Sequence, residues 1–279
     1  MMYSVEISRS NPGCFLFLID QSGSMGDPFG GNPTLLKSHG VADAVNRLLS
    51  NLVIKCSKDD GIRNYFEVGV IGYGNPDVSS AFMGTLAGRE LVKIEEIGNN
   101  PLRIEERLQQ ISAADGETVQ KSVKFPVWIE PLARNGTPMC KVFDTARSIL
   151  ERWIALNLNS YPPIIINITD GDATDGNPIP YARDLMRLNT NDGNVLLFNI
   201  HISNQHSVPI IYPDKAPTIS DQYAALLFEI SSLLPDTFIT AALNDGYAVN
   251  QQSRGFGFNA DLISLINFID IGTRVGMLR

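Results

Sequence analysis

The chain has 279 residues, of which 44% are hydrophobic and 19% charged, and its mean hydropathy is -0.00. One large or two small domains fit this length at roughly 150 residues per domain, and so much apolar material spread along the chain excludes intrinsic disorder as the main state. The balance is acidic, with 30 Asp plus Glu against 22 Lys plus Arg and a net charge of -8. No basic cluster exists to displace the counterions of a nucleic acid or to grip an anionic membrane, so neither is expected as a partner.

No run approaches the ~18 apolar residues of a spanning helix. The start, Met1-Met2-Tyr3-Ser4-Val5-Glu6-Ile7, has neither a basic nor an apolar leader region, so no cleaved signal peptide is expected. Cys14, Cys56 and Cys140 are odd in number and far apart. They are expected to be reduced and mostly buried, which suits a cytoplasmic location. Two glycosylation sequons, at Asn135 and Asn167, read as chance matches, since Asn167 falls inside an apolar run.

In chain order, residues 14–19 form a continuous apolar run between Asn-Pro-Gly and a Ser/Gly cluster, the pattern of a strand buried on both faces. Residues 35–56 have helical periodicity through Val41, Ala44, Val45, Leu48, Leu49 and Leu52. Residues 65–73 read as a second strand. The stretch 79–133 is less regular; within it 91–94 and 123–129 look like short strands, and 101–111 reads as a helix with Leu102, Leu108 and Ile111 on one face. Regular patterns then resume: a helix over 140–158, an apolar strand over 163–169, a helix over 180–188 and a strand over 194–202. A helix over 221–234 follows, capped by Ser220 or Asp221, then a strand over 238–242 and a deeply packed terminal helix over 261–271. The glycines of Gly30-Gly31 and Gly255-Phe-Gly257 read as turns. Alternating strands and helices, with strands buried on both faces, predict an α/β fold with a doubly wound, mostly parallel central sheet. The whole of 1–279 reads as one domain, with its core over about 13–271 and an elaborated segment over about 75–133.

Ligands of such sheets gather beyond the carboxyl ends of the strands. The first strand runs into Asp20-Gln-Ser22-Gly-Ser24-Met-Gly26, in which alternate residues can turn a carboxylate and two hydroxyls toward one point. This is a hard-oxygen set, suited to Mg²⁺ or Mn²⁺ and unsuited to zinc. The strand over 163–169 runs into a second carboxylate in Thr169-Asp170-Gly171, and the loop Asn135-Gly-Thr137-Pro138 offers a third hydroxyl just before a helix. Each piece alone is a common turn or helix start; the three in this order, each after the right element, point to a site.

On these residues the chain resembles a von Willebrand factor type A domain. Asp20-Gln-Ser22-Gly-Ser24 is similar to that family's first metal-site motif, Thr137 to its isolated threonine, and Thr169-Asp170-Gly171 to its later aspartate motif. The resemblance implies a Rossmann-like fold and a metal-ion-dependent adhesion site. In such a site Ser22, Ser24 and Thr137 would hold a divalent cation, with Asp20 and Asp170 acting mostly through water. The cation implied is Mg²⁺ or Mn²⁺, with Ca²⁺ behind them. An Asp or Glu of a partner protein would complete the shell. Stand-alone prokaryotic relatives work beside protein kinases, protein phosphatases or ATPases, so a non-enzymatic adaptor in a signalling or stress system is expected by analogy.

The same residues admit three other readings. Ser22-Gly23-Ser24-Met25-Gly26 nearly forms a nucleophile elbow, with Ser24 as nucleophile and Asp170 and His201 or His206 in hydrolase order. However, it follows the first strand, and His201 reads as a partly buried strand residue. The stretch Asp170-Gly-Asp172-Ala-Thr174-Asp175-Gly176 looks like a calcium loop, but Tyr181 stands where the twelfth-position glutamate belongs; it reads as a surface loop capping the next helix, with Asp172 a candidate for the outer shell of the main site. A scaffold with an idle metal site is the third reading. No Gly-x-x-x-x-Gly-Lys-Ser/Thr loop exists, which excludes a P-loop nucleotide site. In relatives the last helix can shift on partner binding; for 261–271 plain core packing is the expectation.

Overall fold

The apolar run at 14–19 becomes the middle of a sheet. Strand β1 (Gly13–Asp20) is buried at every residue, because helices cover both of its faces. Phe15, Phe17 and Ile19 enter one core layer; Cys14, Leu16 and Leu18, pointing the other way, enter the second. The computed structural model describes residues 3–29, 32–74, 77–112, 118–202, 208–216 and 222–258.

After β1 come a short hairpin of β2 (Pro28–Phe29) and β3 (Asn32–Leu36), helix α1 (Lys37–Cys56), a second short hairpin of β4 (Ser57–Lys58) and β5 (Gly61–Ile62), and strand β6 (Phe66–Gly74). The elaborated segment supplies β7 (Asp77–Ser80), β8 (Val92–Lys93), helix α2 (Ile94–Asn99) and a long hairpin of β9 (Arg103–Ser112) and β10 (Thr118–Val127). Helix α3 (Met139–Leu156), strand β11 (Ile164–Thr169), helix α4 (Ile179–Leu185), the small pair β12 (Asn189–Thr190) and β13 (Gly193–Asn194), and strand β14 (Leu196–His201) follow. Then come β15 (Ile210–Ile211), helices α5 (Gln222–Glu229) and α6 (Asp236–Asn244), and β16 (Phe256–Phe258).

The central sheet has eight strands in the order β15-β16-β14-β11-β1-β6-β7, with β8 also paired to β6. Strands β6, β1, β11, β14 and β16 run parallel; β7, β8 and β15 are antiparallel edges. One layer is closed by α1, α2 and α6, the other by α3, α4 and α5. This is the doubly wound α/β sheet the alternation predicts.

Three elements differ from the sequence reading. Residues expected as a helix over 101–111 form β9, paired antiparallel with β10. Alternation decides it: Arg103, Glu105 and Arg107 share one face, where they pair with one another, with Glu130 and with Asp43, and the Arg107 guanidinium lies 3.6 Å from the centre of the Phe125 ring. The strand expected over 238–242 is helix α6, since after Pro235 the buried residues Phe238, Ile239 and Ala242 recur at helical spacing. The turn expected at Gly255-Phe-Gly257 contains β16. A Cβ at Gly255 would lie 2.0 Å from Phe198 Cδ1, so glycine is what lets this strand close onto β14. In addition, 91–94 splits between β8 and the start of α2. The expected terminal helix over 261–271, Gly30-Gly31, His206, Ser220 and Asp221 lie outside the described residues. Cys14, Cys56 and Cys140 are free and buried.

Candidate functional site

Strand β1 leads through α1 to β6 on one side, while β11 lies on its other side, so the winding reverses between β1 and β11. Asp20 ends β1, and Thr169 ends β11 with Asp170 just beyond. Asp20 and Asp170 therefore stand at the topological switch point, outside the carboxyl ends of the strands.

Asp20 has no exposed surface. Its Oδ1 accepts the Ser22 N–H at 2.8 Å, and its Oδ2 accepts the Thr169 hydroxyl at 2.6 Å. Burial pushes its carboxyl up to about 6, and the nearby Asp170 charge adds to the rise, while the bonds from Thr169 and Ser22 oppose it. The chain then turns through a 3₁₀ segment, Gly23–Gly26. Ser22 is buried and Ser24 exposed; their Oγ atoms lie 3.1 Å apart, and Ser24 Oγ donates to Asp170 Oδ1 at 2.8 Å. Asp20, Ser22, Ser24 and Asp170 thus form one continuous chain of hydrogen bonds.

Thr137 joins this cluster through its loop. Gly23 N–H donates to the Asn135 carbonyl at 2.8 Å and Arg134 N–H to the Gln21 carbonyl at 2.5 Å. Asn135 adopts a left-handed φ of 52°, which asparagine tolerates better than most residues. Thr137 itself is buried; its N–H donates to Thr174 Oγ1 at 2.9 Å and its carbonyl accepts the Thr174 N–H at 2.9 Å. Gly74, where β6 passes this crossing, has no room for a side chain: a Cβ there would lie 2.9 Å from the Gln21 carbonyl oxygen and 3.1 Å from that of Arg134. The loop after Asp170 meets the starts of two helices. Asp175 accepts the N–H groups of Cys140 and Lys141 at 3.0 and 2.9 Å, at the start of the preceding helix α3, while Asn177 accepts from Ile179 at the start of α4. The α3 cap draws the Asp170 loop against the Thr137 loop.

Lys37 also belongs to the site, and the sequence reading passed over it. Its Nζ lies 2.6 Å from Asp170 Oδ2 and 3.4 Å from the Ser24 carbonyl, and the side chains of Lys37 and Asp170 are 3% and 0% exposed. Thus one oxygen of Asp170 is held by a serine hydroxyl and the other by a buried ammonium. The available signal was electrostatic: Lys37 is the first residue of α1, where the helix dipole disfavours a cation. A basic residue there needs a nearby anion.

A polar thread runs beneath the site through the core. Tyr73 hydroxyl donates to Asn167 Oδ1 at 2.7 Å, Asn167 Nδ2 to Asn199 Oδ1 at 3.0 Å, and Asn199 Nδ2 to Ser231 Oγ at 2.9 Å, all buried. His201, the hydrolase candidate, is buried at the end of β14 and stacks on Phe258 with ring centres 5.3 Å apart. Ser24 meets Asp170 directly, with no imidazole between them.

Every donor in the predicted set is an oxygen, and only two are carboxylates. The described residues contain no group of three or more His, Cys, Asp and Glu that could hold a metal ion. Such a set fits a small hard cation with room for an external ligand better than a soft-metal cage. No described helix is long and apolar enough to cross a membrane.

The architecture is a mostly parallel sheet wound on both faces, the doubly wound α/β arrangement that the sequence predicts. No family model matches the chain, and none of the curated proteins matches it. Among solved structures it is similar to the manganese-loaded TRAP protein of Plasmodium vivax, at 16% identity over 93% of this chain and 72% of that one, with a TM-score of 0.45. It is also similar to the vWF domain of the type V pili tip protein Mfa5 of Porphyromonas gingivalis, at 16% identity over 61% of this chain and 40% of that one, with a TM-score of 0.30. A third is the adhesive tip pilin GBS104 of Group B Streptococcus agalactiae, at 12% identity over 87% of this chain and 72% of that one, with a TM-score of 0.30.

Proposed function

We propose that the chain is a protein-binding module that takes a divalent cation at Ser22, Ser24, Thr137, Asp20 and Asp170, and uses it to hold an Asp or Glu of a partner. The observation that carries this reading is the hydrogen-bonded cluster of Asp20, Ser22, Ser24 and Asp170 oxygens at the switch point of the sheet. When bound, the cation would supply an electrophilic centre for a carboxylate. With Asp20 and Asp170 acting mostly through water, the groups that would touch the dication are neutral hydroxyls, which favours an anionic ligand from outside. Asp20 positions Ser22 through the Ser22 N–H, and Thr169 fixes Asp20 in turn. Mg²⁺ is the first expectation and Mn²⁺ the second, with Ca²⁺ behind both for its larger shell. The arrangement supports binding over hydrolysis, because Ser24 faces a carboxylate and His201 is buried against Phe258. An intracellular setting beside a kinase, phosphatase or ATPase is the analogy drawn from the resemblance; three free, buried cysteines suit a reducing compartment.

The test is a pull-down from native lysate with Mg²⁺ or with EDTA, comparing the wild type with Ser22→Ala/Ser24→Ala. Manganese binding to the purified proteins is followed in parallel by electron paramagnetic resonance. A partner captured only by wild type with metal supports the reading. Equal capture in every arm, with no manganese bound, refutes it in favour of an interaction scaffold with an idle site.

A further inference from the structure

We propose that Lys37 is a resident cation of the site: its ammonium holds Asp170 when the divalent ion is away, and must release Asp170 for the ion to bind. This deepens the metal-site reading and rests on it.

Three observations carry the proposal. First, the ammonium sits inside the donor cluster, on the second oxygen of the one carboxylate whose first oxygen already meets Ser24. Its other contact, at 3.4 Å, is the carbonyl of that same Ser24. Second, the placement is costly on every other count. The side chain is 3% exposed, so the ammonium has lost most of its hydration, and it stands at the positive end of α1. Only the pairing with Asp170 offsets these costs. What the lysine supplies is one positive charge beside Asp170. Third, the charge can move without the backbone. Lys37 N–H is fixed to the Asp27 carbonyl at 3.0 Å, while the ammonium rides on a flexible four-carbon arm, and the neighbouring Ser24 is exposed.

Two cations a few ångström apart in a poorly hydrated pocket repel strongly. The divalent ion and the ammonium therefore compete for Asp170, and the metal-free site is kept in a closed, neutralised state. Without the lysine, Asp170 would be a buried and unpaired charge in the absence of metal. With it, metal affinity is lowered, so that the site fills only when the ion is plentiful or a partner carboxylate arrives with it.

The experiment uses the full chain. Lys37 acetylation by an N-hydroxysuccinimide ester is read by mass spectrometry with Mg²⁺ and with EDTA, and Mn²⁺ binding to wild type and to Lys37→Met is titrated by electron paramagnetic resonance. Expected are a severalfold rise in Lys37 labelling with Mg²⁺, and Mn²⁺ affinity at least about tenfold tighter in the variant, the order of effect of removing a unit charge beside a dication. Binding by Lys37→Met alone also supports the proposal. Mn²⁺ binding by wild type with labelling unchanged by Mg²⁺, or with no tightening in a folded variant, overturns it and leaves the metal site standing. No Mn²⁺ binding by either protein overturns both. Should Lys37→Met fail to fold, the labelling of wild type decides.

Discussion

Asp20→Asn separates the cost of the site from its use. In the folded protein burial lifts the Asp20 carboxyl from 3.8 to about 6. The folded state therefore binds a proton more tightly than the unfolded chain, and stability falls as pH rises from about 4 to about 6 and stays level above that. A shift of about two units corresponds to roughly 3 kcal/mol of native stability given up at neutral pH. Asparagine removes that charge. Its carbonyl can keep the Ser22 N–H, and its amide can donate to Thr169 Oγ1, whose own proton then turns to the Gly171 carbonyl at 3.4 Å. That last contact is long, so about 1 kcal/mol is subtracted for a weakened hydrogen bond. The expected result is a metal-free variant more stable than wild type by about 1–2 kcal/mol near pH 7.5, with the gap closing below about pH 4. Urea unfolding in EDTA across that pH range measures it, while Mn²⁺ affinity of the same variant falls. A variant less stable than wild type at neutral pH, or a gap independent of pH, would refute the claim that desolvation of Asp20 strains the site.

Two further substitutions test the frame around it. Asn46 on α1 accepts the N–H groups of Trp128 and Ile129 at 2.8 and 3.2 Å and donates to the Ile129 carbonyl at 3.0 Å. Asn46→Ala leaves these buried groups unpaired, and is expected to cost about 2–4 kcal/mol in chemical denaturation and to speed proteolysis within the β9–β10 hairpin first. Gly69 in β6 meets the Glu90 carbonyl oxygen and Leu16 Cδ1 at 2.4 and 2.6 Å from any added Cβ; Gly69→Ala should lower the thermal midpoint through about 1–3 kcal/mol of overpacking, with Mn²⁺ affinity unchanged.

The parallel core was legible because burial on both faces writes continuous apolar runs. Residues 14–19 and 163–169 name β1 and β11 almost to the residue. The helices over 35–56 and 140–158 differ from α1 and α3 by two residues at their ends. The hydrogen-bonded grouping of Asp20, Ser22, Ser24 and Asp170 could be expected for a related reason: each stands at or just after the end of a strand that an apolar run marks. What failed was local and short. Leu102, Leu108 and Ile111 mimic a helical stripe, yet the Arg/Glu alternation of β9 is satisfied by ion pairs along one sheet face. Phe238 to Ala242 is apolar enough for a strand, and its helical spacing shows only once the whole turn after Pro235 is counted. Lys37 was missed because its partner, Asp170, is 133 residues away, and no local pattern marks a pairing set by the sheet order.

The thread from Tyr73 to Ser231 bears on how the strands find their alignment. Strand β11 reads Ile164-Ile165-Ile166-Asn167-Ile168-Thr169, and by burial alone it could slide two residues along its neighbours and bury nearly the same surface. The polar side chains, Asn167 and Thr169, would notice. In place, Asn167 lies opposite Leu18 and Asn199. A two-residue slip would set it against Leu197 or His201 instead, taking the Asn167 partner from the Tyr73 hydroxyl and from Asn199 Oδ1, at about 1–3 kcal/mol for each group left unpaired. The sheet therefore carries its own proofreading. Greasy strands supply the drive to collapse, and a few buried amides reject the alignments that grease cannot tell apart.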